Sequence, residues 1–219
     1  MRLIRAGTSG FSDPAEDFAT LDLVEIRLGR GSMPSLQDGQ HWRRIAPAEF
    51  DFIVRVEAGH RETAGLRGVR RVWKGAMEFA CAVEAALVIV PTPASFRPTD
   101  ENIDTLDEFF PWAHRAGMRL GWEPRNRSWP DCTLTQLCRE HTVSHVVDPM
   151  VRGPVRGRPP CFRLNGIDGP QHRYSDEELA EVRRRCDAYG EGHVMYDEDL
   201  ALCVFGNASR VEDARRMRG

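Results

Sequence analysis

Residues 119–141 read RLGWEPRNRSWPDCTLTQLCREH, and the fold is read from the unit this stretch contains. RLGWE (119–123) is an apolar run closing on a carboxylate, and TLTQLCREH (133–141) carries apolar side chains at helical spacing. Between them GWEPRNRSW (121–129) crowds Glu123, Arg125, Asn126, Arg127, Ser128 and two tryptophans together. A strand that passes through a polar, aromatic junction into a helix is one β/α unit. Such a junction is either a well-bonded corner or the floor of a binding site.

Outward from it, similar apolar runs recur: LIRAG at 3–7, LVEIRL at 23–28, FDFIVRV at 50–56, ALVIV at 86–90, SHVVD at 144–148, CFRLN at 161–165 and ALCVF at 201–205. Most are continuously apolar rather than alternating, as strands buried on both faces of a parallel sheet require. Helical patterns stand between many of them. The clearest are LRGVRRVWKGAMEFACAVEA (66–85), TDENIDTLDEFFPWAHRAG (99–117) and SDEELAEVRRRCDAYG (175–190), with SLQDGQHWRRIA (35–46) as a shorter one. Thr99 is the N-cap of the second, and Ser175 with Glu178 forms a capping box for the third. Eight strands alternating with helices predict an α/β fold, a (β/α)8 TIM-type barrel spanning 1–219 as a single domain. An open doubly wound sheet would carry a Gly-rich phosphate turn, but GTSGFS (7–12) is not GxGxxG and no P-loop occurs. The barrel is somewhat degenerate at two links: the short one between strands one and two, and the Pro/Gly/Arg-rich one between strands six and seven.

The composition suits a globular protein: 41% of the 219 residues are hydrophobic, enough for a sizeable core. A net charge of −3 gives no bulk electrostatic support for nucleic acid or an anionic membrane as partner. No run is long enough to cross a bilayer, and MRLIRAGTSG lacks the apolar core of a secretory signal. The six cysteines are scattered without a CxxC pair, and several lie in apolar runs where a thiol acts as a small hydrophobe. A cytoplasmic, reduced protein is the expectation.

In TIM barrels the chemistry sits at the C-terminal ends of the strands. Those ends supply Thr8 and Ser9, Glu25 and Arg27, Arg55 and Glu57, Pro91 and Thr92, Glu123 and Arg125, Asp148, Arg163 and Asn165, and Asn207. Four acids and four arginines in such places need partners or a charged ligand, because desolvating them unpaired is costly. Glu123 and Arg163 form the sharpest pair. Glu123 is the candidate general acid or base, and Arg125 and Arg163 are the candidate clamp for a phosphate or carboxylate. A structural Glu–Arg network closing the barrel top is the competing reading. Trp122 reads as core by alternation; Trp129 is either a rim contact or a helix anchor.

One metal-like spacing exists, Cys132, Cys138, His141 and His145, but it misses the usual short Cys knuckle, and helical periodicity accounts for Cys138 and His141. A metal held by Glu25, Glu123 and Asp148 is an alternative set. Neither makes a case for an assigned metal, and no cofactor is named by the sequence. Arg152, Arg156 and Arg158 lie on a loop that is either a phosphate clamp or simply solvated.

The ordered motifs GTSGFS (7–12), VEI (24–26), TPASF (92–96), EPRNRSW (123–129), FRLNG (162–166), RYSDEEL (173–179) and VFGNASRVEDA (204–214) resemble the YecE-like proteins, the family of domain of unknown function 72. The resemblance implies a TIM barrel and little biochemistry. The positions matching the family's motifs are Thr8, Ser9, Glu25, Glu123, Arg125, Ser128, Trp129, Arg163, Tyr174 and Asn207. Departures fall at Arg55 where the family usually has Lys, Pro91 for Gln, Asn165 for His and Gly206 for Asn. Arg and Asn do not carry protons at neutral pH, so Glu123 is the acid/base candidate that survives.

Two functions are consistent with these residues. One is an enzyme acting on an anionic or phosphorylated substrate at the barrel mouth. It would use Glu123 and Glu25 as catalytic carboxylates, with Thr8, Ser9, Arg125, Trp129, Arg163, Asn165, Tyr174 and Asn207 contacting substrate. The alternative is a non-catalytic module binding a phosphate-bearing ligand or nucleic acid. A small anionic ligand is the expected partner, nucleic acid has no support from the net charge of −3, and neither reading implies a membrane partner.

Overall fold

The computed structural model describes residues 3–29, 33–57, 65–113, 118–153, 155, 161–166, 172–188, 200–205 and 211–217. Eight strands close into one parallel barrel in the order β1-β2-β3-β4-β5-β6-β7-β8. They are β1 Leu3–Ser9, β2 Leu23–Leu28, β3 Asp51–Val56, β4 Leu87–Thr92, β5 Leu120–Pro124, β6 Ser144–Val147, β7 Cys161–Leu164 and β8 Leu200–Phe205. Closure is made by β1 on β8, where Leu3 stands beside Leu200 and Thr8 beside Phe205. The described helices are α1 Pro14–Thr20, α2 Leu36–Ile45, α3 Gly65–Ala82, α4 Asp100–Ala113, α5 Asp131–Glu140, α6 Asp176–Ala188 and α7 Val211–Met217. Among the described residues no helix is long and apolar enough to cross a membrane.

The link between β1 and β2 departs from the sequence expectation, for it carries the two-turn helix α1. Asp13 caps it by accepting from the backbone N–H of Ala15 (2.9 Å) and Glu16 (3.2 Å), and Pro14 at the first position is already set at a helical φ. Two turns are too short for periodicity to reveal. The expected Ser175–Glu178 capping box of α6 is present, with the Ser175 N–H donating to Glu178 at 2.8 Å and the Glu178 N–H to Ser175 Oγ at 3.2 Å. Between β6 and β7 the described residues contain no helix.

Alternation along each strand divides the apolar residues into two sets. The outward set, including Val24, Ile26, Phe52, Val54, Val88, Val90, Trp122, Phe162 and Phe205, packs under the helices as the main core. The inward set, Leu23, Ile53, Leu87, Ile89, Val146, Cys161 and Val204, fills the barrel interior as a separate apolar plug. Gly7 faces this region because the backbones run so close: a Cβ there would collide with the Leu23 carbonyl oxygen. Above the plug, at the strand C-termini, the inward positions become charged. Gly29, at φ +99°, ends β2 against the Glu57 carbonyl, where a Cβ would find no room, so only glycine allows β2 and β3 to leave the barrel side by side.

Candidate functional site

Four strands, β2, β3, β5 and β7, deliver polar residues to the mouth in pairs two apart, so that both face the barrel axis: Glu25 and Arg27, Arg55 and Glu57, Glu123 and Arg125, Arg163 and Asn165. The lower member of each pair lies just above the apolar plug. Glu25 and Arg55 have no solvent exposure, and Glu123 and Arg163 are also buried. Glu25 is ion-paired to Arg163 and lies 4.0 Å from Arg55 Nη1. Glu123 is ion-paired to the same Arg55 Nη1 and sits 4.0 Å from Arg163 Nε. Ser9 Oγ donates to Glu25 at 2.7 Å and accepts from Arg27 Nε at 2.7 Å.

The upper members complete a ring of alternating sign. Arg55 Nε donates to Glu57 Oε1 at 3.0 Å. Arg125 then spans the two carboxylates from above, with Nη2 3.5 Å from Glu57 Oε1 and Nε 3.5 Å from Glu123 Oε1. Among the described residues, four arginines (27, 55, 125, 163) meet three glutamates (25, 57, 123) in these ion pairs, one more positive charge than negative. Its outer members are the accessible ones: the Arg125 side chain is 44% exposed and that of Arg27 36%.

Burial raises the pKa of both Glu25 and Glu123, but the adjoining guanidinium groups outweigh it. Arg163 and Arg55, with the hydrogen bonds from Arg163 and Ser9, bring Glu25 below its usual value. Arg55, Arg163 and Arg125 bring Glu123 down to about 2. Burial and the Arg163 charge push Arg27 below its usual value, although Glu25 and Glu57 pull the other way. Glu123 is therefore an ionised carboxylate at neutral pH. In this state it is a weak base and not a proton donor.

Of the residues expected to contact a ligand, Ser9, Arg125 and Arg163 are in this network with Glu25 and Glu123. Asn165 is exposed at the rim, where its N–H donates to Asp148 Oδ2 at 3.2 Å. Thr8, Trp129 and Tyr174 are instead taken up by packing behind the barrel wall. Thr8 cannot share the inward face with its neighbour Ser9, and its hydroxyl donates to the Gly10 carbonyl at 2.9 Å. Trp129 is almost completely buried, stacked on Phe96 and edge-on to Trp122, with its indole N–H bound to the Phe96 carbonyl at 2.9 Å. It is a helix anchor ahead of α5. Buried Tyr174 accepts from the Gly166 N–H at 2.9 Å and packs edge-on to Phe205. Asn207, Gly206, Arg156 and Arg158 lie outside the described residues.

Arg55, Glu57 and Arg27 belong to the network, yet sequence reasoning assigned them no role beyond their place at strand ends. Their two-residue spacing was the available signal. The cysteine–histidine spacing does not assemble: Cys132 is exposed, Cys138 is buried, His141 pairs with Asp107 at 2.6 Å, and His145 Nδ1 accepts from the Val155 N–H at 3.2 Å. Among the described residues no three His, Cys, Asp or Glu side chains are placed to hold an ion together. Glu25 and Glu123 are committed to arginines, so the alternative set with Asp148 is not formed either. Arg152 is pinned to Asp131 and the Trp129 carbonyl rather than aimed at the mouth.

No curated protein matches the chain. Among solved structures it is similar to a DUF72 family protein from Enterococcus faecalis, at 21% identity over 99% of this chain and 96% of the other, with a TM-score of 0.74. A DUF72 family protein from Thermotoga maritima matches at 20% identity over 98% and 96% of the two chains, with a TM-score of 0.69. A xylose isomerase domain containing protein from Salmonella typhimurium matches at 14% identity over 94% and 88%, with a TM-score of 0.60. At these identities the likeness is one of fold, the TIM barrel. The model of the family described as protein of unknown function DUF72 matches residues 20–218, and the chain belongs to that family.

Proposed function

We propose that the protein is an enzyme that acts on a small anionic or phosphorylated substrate at the C-terminal mouth of the barrel. The observation that carries this reading is the excess of arginine over glutamate in the mouth network, with its most exposed members, Arg27 and Arg125, outermost. Crowded cations favour an incoming anion, and guanidinium groups match phosphate or carboxylate oxygens in pairs. In this scheme Arg125 and Arg163 clamp the anion, Arg27 and Ser9 steady it, and Glu25 orients Arg163. Glu123 is the proton-accepting group. An anion that takes over the charge of Arg125 and Arg163 relieves their hold on Glu123 and lets its basicity rise.

Binding without catalysis is the second reading, and the depressed pKa of Glu123 favours it. The two are separated by titrating the protein with inorganic phosphate and by following a panel of phosphate monoesters by NMR. Phosphate binding that falls at least tenfold in Arg125→Ala and Arg163→Lys supports the anion clamp. Absence of binding in the wild type refutes it. Conversion of a panel member by the wild type but not by Glu123→Gln supports the enzyme; unchanged spectra with phosphate binding intact support the binding module.

A further inference from the structure

Arg55 is the most buried cation of the mouth, with no solvent exposure. Its Nε serves Glu57 and its Nη1 serves Glu123 and Glu25, but its Nη2 has no hydrogen-bond partner. Guanidinium geometry fixes where that nitrogen lies. Nη2 shares one edge of the plane with Nε, which serves Glu57, and the other edge with Nη1, which serves Glu123 and Glu25. It therefore lies between the Glu57 contact and the contacts of Nη1, and Arg125 bridges Glu57 and Glu123. A buried donor left unsatisfied is costly, and native proteins nearly always supply its acceptor.

We propose that this gap is a subsite for a hydroxyl group of the ligand, with Arg55 as the residue that selects for it and Arg125 as its cover. The inference rests on the anion-binding reading of the mouth and extends it to a ligand class: a polyol or sugar carrying a phosphate or carboxylate. The chemistry favours a hydroxyl over a second anionic group. An anion placed against Arg55 Nη2 would also face Glu57 and Glu123, which repel it. A hydroxyl accepts from Nη2 and donates its own proton to one of those carboxylates, so both sides of the gap are satisfied at once. Arg125 is suited to move aside. It is the most exposed arginine of the network, and both of its carboxylate contacts are 3.5 Å, at the outer limit of a hydrogen bond. Contacts of that kind contribute little stability. Once displaced, its guanidinium is available to the anionic end of the same ligand.

The test compares inorganic phosphate with a panel of polyol monophosphates of three to six carbons, beginning with glycerol 3-phosphate, by titration calorimetry. The wild type is expected to bind at least one panel member about tenfold more tightly than inorganic phosphate, the scale of one hydrogen bond to a charged group. Arg55→Lys keeps the charge but loses the planar second nitrogen. It is expected to bring the ratio of the two affinities close to one, and because the readout is a ratio, any general weakening of the mouth cancels. Thermal melting confirms that the variant is folded, and Arg55→Gln serves as a second variant that cannot restore the Nη2 donor beside an intact positive charge. Phosphate binding with no hydroxyl gain in the wild type, or with the gain retained in Arg55→Lys, overturns this inference and leaves the anion clamp standing. If inorganic phosphate does not bind the wild type, the clamp fails and the subsite fails with it.

Discussion

Replacing Glu123 with glutamine removes a titrating carboxylate from the centre of the mouth, and the consequence is a change in how stability depends on pH. The folded-state pKa of Glu123 is about 2, against an ordinary value of 4.5. A depressed carboxylate contributes stability above its unfolded pKa and loses it as pH falls through the folded value. A difference of roughly 2.5 units corresponds to about 3 kcal/mol at neutral pH, since each unit is worth about 1.4 kcal/mol. Integrating the linkage, roughly 2 kcal/mol of this is gone by pH 3, with the remainder lost near pH 2 and below. An amide at this position does not titrate and has no such dependence. The assay is urea denaturation of wild type and Glu123→Gln at pH 7, 5, 4 and 3. The wild type is expected to be the more stable at pH 7, with its advantage shrinking by roughly 2 kcal/mol by pH 3. Other acid-sensitive carboxylates act in both proteins and cancel in the difference. Glu25 shares Arg55 and Arg163 with Glu123, so the difference curve belongs to the coupled pair, and its direction is the same. A stability gap that stays constant from pH 7 to pH 3 would refute the account of Glu123 as a carboxylate held ionised by its arginines.

Trp129→Ala removes a buried indole stacked on Phe96 and edge-on to Trp122. It should cost about 3–5 kcal/mol in chemical denaturation, with phosphate affinity unchanged because the side chain lies behind the wall. Gly7→Ala would drive a methyl group into the Leu23 carbonyl, and soluble expression with a native circular dichroism spectrum is expected to be lost. Thiol labelling of the native protein should mark Cys81 and Cys132, which are exposed, and spare Cys138, Cys161 and Cys186 until denaturant is added. Cys161 is the strictest case, for burial pushes its thiol well above the usual range.

The barrel was legible because its strands are unbroken apolar runs, and a run such as ALVIV needs burial on both sides wherever it is placed. Helices α2 to α6 were legible by periodicity or caps. Helix α1 was not, since PAEDFAT is too short to show a period and its cap lies outside it. At the site, the strand-end rule found Glu25, Glu123, Arg125 and Arg163, because a charge closing an apolar run has only the mouth to go to. Thr8 lies off the mouth because of strand parity, which position along a strand alone does not give: Ser9 faces inward, so Thr8 does not. Arg55 and Glu57 were seen as ends but not as members of a ring. The ring is made by side chains of β3 and β5 that meet over β4, 68 residues apart for Arg55 and Glu123, and no local pattern encodes which strand ends meet. Trp129 and Tyr174 are buried in packing for a different reason. Aromatic residues next to a mouth are equally able to hold its loops in place, and the sequence does not say which way a ring turns.

The apolar plug formed by Leu23, Ile53, Leu87, Ile89, Val146, Cys161 and Val204 makes the mouth a blind well. Among the described residues this apolar cluster underlies Glu25 and Arg55, and the charged layer meets solvent at Arg125 and Arg27. A ligand seated over that layer stands between the carboxylates and bulk solvent, and the proton inventory of the well is then whatever it held at the moment of entry. Arrival and departure share one route.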